Sequence, residues 1–311
     1  MFAVDIARRA RWLVRAGSTR LNRCAIGISF IAAALSSVSQ ATDDAAPNQA
    51  DRSFQLQYKL KPGEQIRYEV VHLVTVKTEV QGSGQNNQSR SKSMKLWDVH
   101  DFDTQGSIVF THSIEYVDMW SETSGRQPVS YDSRKDNDPP VQYEAIGDVV
   151  GKPLSLVTMT SSGEVVSRED EIKQIDLGMG GITVPLPSNP VKIGDTWSSP
   201  STVAVRLEDM TIKQIKIRQL YRLEKVAAGV ATISVNSQVL TPVDDARVQS
   251  QLIQRLSKGE IKFDMDTGRV LSKQLDWDET VVSFSGPASR MEYLGRMTET
   301  LVEPRVARAR R

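Results

Sequence analysis

Phe54, Leu56, Tyr58 and Leu60 alternate with Gln55, Gln57 and Lys59, and the same period of two recurs along most of the chain that follows. Alternation of this kind lines apolar side chains on one face of a pleated strand and polar ones on the other. It predicts a strand over 54–60, a β-branched one over 66–80, and two more over 94–100 and 107–119. Further strands are expected at 202–208, 211–226, 230–240, 260–266, 269–284 and 289–302. Strands of this length belong to twisted, curved sheets. Between them, Lys61-Pro62-Gly63-Glu64 has the composition of a type II turn, with Pro presetting φ and Gly accepting a positive one. Residues 81–93, rich in Gly, Ser, Asn and Gln, read as a loop, and 121–140, ending in Pro139-Pro140, as an exposed excursion.

Helical periodicity is scarce. Val248, Leu252, Ile253 and Leu256 form one apolar face of a short helix that Lys258-Gly259 ends and Asp244 or Asp245 caps. Val141 to Val150 allows at most two turns before Gly151-Lys152-Pro153.

The two halves of this pattern repeat. Lys61, Gly63, Glu64 and Ile66 open the first copy; Lys192, Gly194, Asp195 and Trp197 open the second. Leu96-Trp97-Asp98-Val99 aligns with Leu223-Glu224-Lys225-Val226, Gly106 with Gly229, and Gly163 with Gly268. The offsets shrink from 131 to 127, 123 and 105, so loop lengths differ while order is kept. One supersecondary unit used twice, each burying the other's apolar face, follows from such a repeat. The expected fold is mainly β (a β-rich α+β chain): two tandem repeats of long, curved antiparallel sheet, 54–189 and 190–302, with one short helix per repeat. Gly178-Met179-Gly180-Gly181 through Pro190 is the expected linker. A single wrapped sheet shared by both copies is the other arrangement this pattern allows.

The N-terminus changes the picture of charge and compartment. Arg8, Arg9, Arg11, Arg15, Arg20 and Arg23 precede the apolar run Cys24 to Leu35, and Ser39-Gln40-Ala41 is a small-x-small cleavage site. The run of 12 apolar residues falls short of the roughly 20 that span a bilayer. Residues 1–41 are therefore expected to be a signal peptide and 42–53 a flexible leader, giving an exported protein, periplasmic or extracellular, with no membrane span in its mature chain. The segment to Ala41 holds six Arg and one Asp, so of the chain's 39 basic and 38 acidic side chains the mature part keeps 33 and 37. That net of −4 argues against a nucleic-acid partner; the remaining basic cluster is the tail, 303–311. Cys24, the single cysteine, leaves with the signal, so neither disulfide nor thiolate metal site is available.

Candidate chemistry is sparse. His72 and His112 each ride an apolar strand face, Ile66-x-Tyr68-x-Val70-x-His72 and Ile108-x-Phe110-x-His112. Neighbouring strands would let the two imidazoles share a polar site, for metal or acid–base work; two semi-buried, hydrogen-bonded histidines are the plainer reading. His100 sits among Asp98, Asp101 and Asp103, an acidic turn. Asp266-Thr267-Gly268 matches the aspartic-protease tripeptide, but Ser161-Ser162-Gly163 in the other copy supplies no second aspartate. Trp120, at a strand end beside Ser121 and Glu122, is a candidate groove aromatic. No catalytic, cofactor-binding or metal-binding residue is named by any motif, and no cofactor is expected.

The run from Phe54 to Val302 resembles a family of uncharacterised exported bacterial β-rich proteins with no assigned activity. The resemblance is carried by Tyr58-Lys59-Leu60-Lys61-Pro62-Gly63-Glu64, Phe110-Thr111-His112-Ser113-Ile114-Glu115, Pro190 with Gly194-Asp195-Thr196-Trp197, and Gly229-Val230-Ala231-Thr232-Ile233-Ser234. It implies turns and strands and no functional residues. At the level of fold alone, a curved antiparallel sheet with a covering helix is similar to periplasmic lipoprotein carriers. The expected function is non-catalytic binding or carriage of an apolar, lipid-like small molecule in the cell envelope. A structural or protein-interaction module with a filled core, docking another envelope protein, is the alternative, and a hydrolase with an unrecognised site is third. Oligomeric state does not follow from this pattern.

Overall fold

Backbone pairing joins both halves of the chain into one antiparallel sheet. The computed structural model describes residues 52–170 and 181–303. The expected signal segment, most of the leader, Gly178 to Gly180 of the linker and nearly all of the tail lie outside the described residues. In the first half the strands are β1 (Ser53–Phe54), β2 (Gln65–Val80), β3 (Ser83–Phe102), β4 (Ile108–Thr123), β5 (Val129–Asp132), β6 (Pro153–Met159) and β7 (Val165–Asp170), with helix α1 (Glu144–Gly147) between β5 and β6. The second half has β8 (Val191–Lys192), β9 (Thr196–Arg206), β10 (Ile212–Ala227), β11 (Val230–Val239), helix α2 (Ala246–Leu252), β12 (Lys258–Asp264), β13 (Arg269–Val282) and β14 (Ser289–Val302).

Strand order is β7-β6-β4-β3-β2-β14-β13-β12-β11-β10-β9, with β5 paired to β4, a sheet of 12 strands. The arrangement is thus the single shared sheet, and not two separate ones. The cause is β14, which pairs β13 on one side and runs fully along β2 on the other, from Ser289 opposite Val80 to Val302 opposite Arg67. The sheet curls until its two ends share one apolar core, in which Trp97, Phe110 and Met159 of the first half meet Leu223, Ile233 and Phe263 of the second.

The two halves open in the same way. Gly63 N donates to Val99 O at 2.8 Å, and Gly194 N to Leu223 O at 2.7 Å. The side chains of Glu64 and Asp195 accept from the backbone N–H of Lys61 and Lys192. Val99, and not Leu96, therefore accepts in the first half the bond that Leu223 accepts in the second.

Residues 54–60 depart from the expectation of a sheet strand. Only Ser53 and Phe54 pair, with Lys192 and Val191. The rest threads between the two closing turns: Tyr58 N donates to Ser161 O at 2.7 Å and Lys59 N to Gly268 O at 3.3 Å. The alternation nonetheless reports burial, since Leu56, Tyr58 and Leu60 are 0, 3 and 3% exposed. Each such side chain contributes about 1.5–3 kcal/mol by leaving water. Gly163 and Gly268 have φ of 78° and 64°, and a Cβ on Gly268 would lie 2.3 Å from Lys59 N. Tyr58 seals this end of the core, its hydroxyl donating to Val184 O at 3.2 Å and accepting from Val184 N at 3.0 Å.

One predicted loop is strand instead, and a second is strand in part. Residues 83–93 belong to β3, because Gln81 and Gly82, at φ of 51° and 78°, make the tight turn that returns the chain alongside β2. Backbone pairing on both sides of β3 is indifferent to its polar side chains. In the excursion, β4 continues to Thr123 and β5 returns against it. The helices lie where the periodicity put them. Asp245 caps α2 by accepting from Arg247 N at 2.8 Å, and a 3-10 turn, Ile253–Arg255, extends it. Among the described residues no helix is long and apolar enough to cross a membrane.

Candidate functional site

Away from the strap of residues 54–60, α1 and α2 each cover part of the inner face with a small apolar cluster, and among the described residues a cleft lies between them. On β3 the inward positions Ser89, Ser91 and Ser93 follow one another, facing Val74, His72 and Val70 of β2. Small side chains there leave space between the two helical segments. The resulting cleft has a volume of about 590 Å³. Its floor includes His72, Val74, Val76, Ser89 and Ser91, with Trp277 and Tyr293 from β13 and β14. One wall is Gln142, Tyr143 and Ile146; the other is Gln254 and Arg255 of the 3-10 turn.

Each wall is anchored to the sheet. Tyr143 Oη and Gln142 Nε2 donate to Ser121 Oγ at 3.1 and 3.0 Å. Trp277 Nε1 donates to Gln254 O at 3.3 Å. Gly295 lies opposite Trp277 in the ladder, and the indole covers it: a Cβ there would lie 3.1 Å from the ring. That placement brings Trp277 to 5.5 Å from the His72 imidazole, centroid to centroid.

His112 is elsewhere. β3 separates β2 from β4, and His72 pairs with Ser91 while His112 pairs with Trp97 six positions along. Two strand spacings and six residues put the imidazoles roughly 20 Å apart, so they share no site. His112 is 4% exposed between Trp97 and Ser155, and neither ring nitrogen has a hydrogen-bond partner. Burial first, and then the Lys95 ammonium, push its pKa down to about 3, so it stays neutral.

Beside it runs a buried ion cluster. Lys95, Lys273 and Glu299 are 2, 6 and 3% exposed, and both ammonium groups pair with the Glu299 carboxylate. Lys95 also lies 4.9 Å from the Tyr68 ring centroid and 5.2 Å from that of Trp97. Burial lowers the Lys95 pKa to about 8 against the pull of Glu299, with Lys273 adding to the fall. For Glu299 burial works to raise the pKa, yet Lys273 and Lys95 outweigh it and hold it at about 2. The cluster ties β3, β14 and β13 together across the join between the halves.

Trp120 borders the cleft and an outer hollow alike. Its ladder partners are Arg90 and Ser130, in phase with the outer face, where it lines a hollow of about 1070 Å³ with Leu73 and Leu294. Ion pairs flank that hollow, Arg90–Asp118 at 2.7 Å and Arg296–Asp276 at 2.6 Å. His100 is engaged with Thr111 Oγ1 at 2.6 Å, and Asp103 ties its own turn by accepting from Gln105 N and Ser107 N at 2.8 Å each. Asp264 likewise accepts from Asp266 N and Thr267 N, so Asp266-Thr267-Gly268 is a hairpin turn. Among the described residues no three His, Asp or Glu side chains gather at metal-binding spacing.

The structure thus gathers two expected residues, His72 and Trp120, at one cleft with Tyr293, Tyr143, Gln142 and Arg255, which were not singled out from the sequence. The alternate serines of β3 were the available signal, since small residues in phase with an apolar face leave room on it.

Residues 169–278 match a family of unknown function, DUF6263. The match runs from the end of β7 into β13 and covers less than half of the chain, leaving out β14 and the floor that β2 and β3 provide. No curated protein matches the chain.

Proposed function

We propose that the chain is an exported, non-catalytic binding or carrier protein of the cell envelope, taking a small amphipathic molecule in the inner cleft. The cleft is the observation that carries this reading. Its volume of about 590 Å³ lies within the roughly 300–1,000 Å³ of small-molecule sites, and it mixes aromatic and aliphatic walls with a few hydrogen-bonding groups. The space suits one chain or ring system better than a two-chain lipid, because the other end of the sheet is packed by its own core. Binding is favoured over catalysis by the lining. His72 faces Ser91 across the ladder, and among the described residues the lining holds no carboxylate to complete a Ser–His–acid arrangement. Export rests on the basic stretch, the apolar run and Ser39-Gln40-Ala41.

Native mass spectrometry of the protein purified from its own envelope tests this. The expected result is a folded species carrying one adduct of single-chain size, absent from a Ser91→Phe variant that keeps the wild-type melting temperature. A clean apo mass for the wild type overturns the carrier reading. The interaction-module reading would then lead, on the strength of the outer hollow, where Leu73 and Leu294 are 46 and 42% exposed beside Trp120.

A further inference from the structure

The outer face of the sheet carries a continuous row of side chains across neighbouring strands. Register places Trp120 on β4 beside Arg90 on β3, then Leu73 on β2, Arg296 on β14, Asp276 on β13 and Lys258 on β12. Leu294 follows on β14, opposite Thr75 of β2. Leu73 and Leu294 are 46 and 42% exposed, so an apolar patch lies at the centre of the row with charges on either side. The same residues line the outer hollow of about 1070 Å³. Arg90 and Arg296 hold Asp118 and Asp276 at 2.7 and 2.6 Å, yet their side chains stay 45 and 58% exposed, so each guanidinium can take a second acceptor.

We propose that this face is a dimerisation surface and that its partner is a second copy of the chain. A two-fold contact pairs a surface with itself, so it must bring unlike charges together from within one patch. With the axis lying between the two faces, parallel to β2 and β14 and midway between them, β2 lies over β14 of the second copy. β3 then lies over its β13, and β4 over its β12. Arg90 meets Asp276 of the second copy, Trp120 meets its Lys258 for a cation–π contact, and the leucines meet at the centre, each contact made twice. Packed sheets lie about 10 Å apart, a gap that arginine and lysine side chains bridge. From β4 to β12 the patch spans about 24 Å, and with roughly 20 Å along the strands it buries roughly 500 Å² per copy. A total of about 1,000 Å² is at the lower limit for a specific interface, so the dimer is reversible, with a Kd in the micromolar range. The contact is on the outer face and does not depend on what the inner cleft binds.

Sedimentation equilibrium of the purified mature protein tests this. The weight-average mass is expected to climb from one chain to two between about 1 and 100 µM, with a smaller climb at high salt. Arg90→Asp and Asp276→Arg, each with its melting temperature as the folding control, are expected to weaken the dimer by at least about tenfold, because like charges then face each other. Mixed in equal amounts, the two variants are expected to dimerise again, since both contacts then join opposite charges. Leu294→Ser, which leaves the ion pairs in place, is expected to weaken the dimer by about tenfold as well. A wild type that stays monomeric throughout overturns the proposal. So does a dimer that persists in both charge variants, or a failure of the folded variants to recover on mixing. Where a charge variant loses its fold, Leu294→Ser decides, and an unweakened dimer overturns the proposal.

Discussion

Removing the Glu299 carboxylate should be among the most costly single changes in this protein, while removing one of its lysine partners should not. Glu299 is 3% exposed and pairs with two ammonium groups that are themselves 2 and 6% exposed. In Glu299→Gln those lysines face each other in the core without a counter-charge. One escape is for a lysine to discharge. At about 1.36 kcal/mol for each pH unit between 7 and the ordinary lysine value, that costs roughly 5 kcal/mol at neutral pH. This agrees with the 3–5 kcal/mol lost when one partner of a buried pair is deleted. Lys95→Met, by contrast, leaves Glu299 and Lys273 as a balanced pair and fills the same space, so a change within about 1 kcal/mol is expected. Urea unfolding followed by tryptophan fluorescence at pH 7 measures both, read from midpoints at unchanged slope. Alkaline pH adds a second readout. Because the folded-state pKa of Lys95 is lowered to about 8 from 10.5, the folded protein sheds this proton before the unfolded chain does. Between those values Lys95 makes stability rise with pH, and Lys95→Met should lack that rise. A Glu299→Gln loss below about 1 kcal/mol, or a Lys95→Met loss equal to it, would show that water reaches the cluster and refute the reasoning.

Gly268→Ala should destabilise well beyond Gly63→Ala in thermal melts: both positions have positive φ, worth about 1–2 kcal/mol, but only at Gly268 does the new Cβ collide with the strap, at 2.3 Å from Lys59 N, while Gly63 has open space. His112→Leu should change stability by no more than about 1 kcal/mol at pH 7, because it replaces a buried, unpartnered ring by an apolar group. In the wild type the depressed folded pKa, about 3 against 6.5, means that only the unfolded chain takes up the proton as pH falls, so stability drops through that window and His112→Leu should flatten the drop. The exported form should begin at Thr42, which intact mass decides; a product that retains Cys24 would refute the cleavage site.

The long strands were legible because a half-buried strand must alternate, and β2, β10, β13 and β14 all lie where their apolar phase predicts. The tip of β3 was not: its polar residues are held by ladder hydrogen bonds, which leave no mark on side-chain composition. The buried ions left a mark that is easy to miss. Lys95 is in phase with Trp97 and Val99, Lys273 with Leu275 and Trp277, and Glu299 with Met297 and Tyr293, so each charge stands where an apolar residue would.

By itself, then, the sequence determined local matters: which segments are extended, which face of each is apolar, and where tight turns fall. These depend on neighbours a few residues away, and a period of two or a glycine turn states them directly. Only the tertiary structure decided that β14 joins the halves into one sheet, that residues 54–60 leave it to strap the two closing turns, and that His72 and His112 are kept apart by β3. It also decided that His72 shares a cleft with Trp277, Tyr293 and Arg255. Those are contacts between segments far apart in the chain, set by which strand edge finds which partner, and a face can advertise that it will be buried without naming what will cover it.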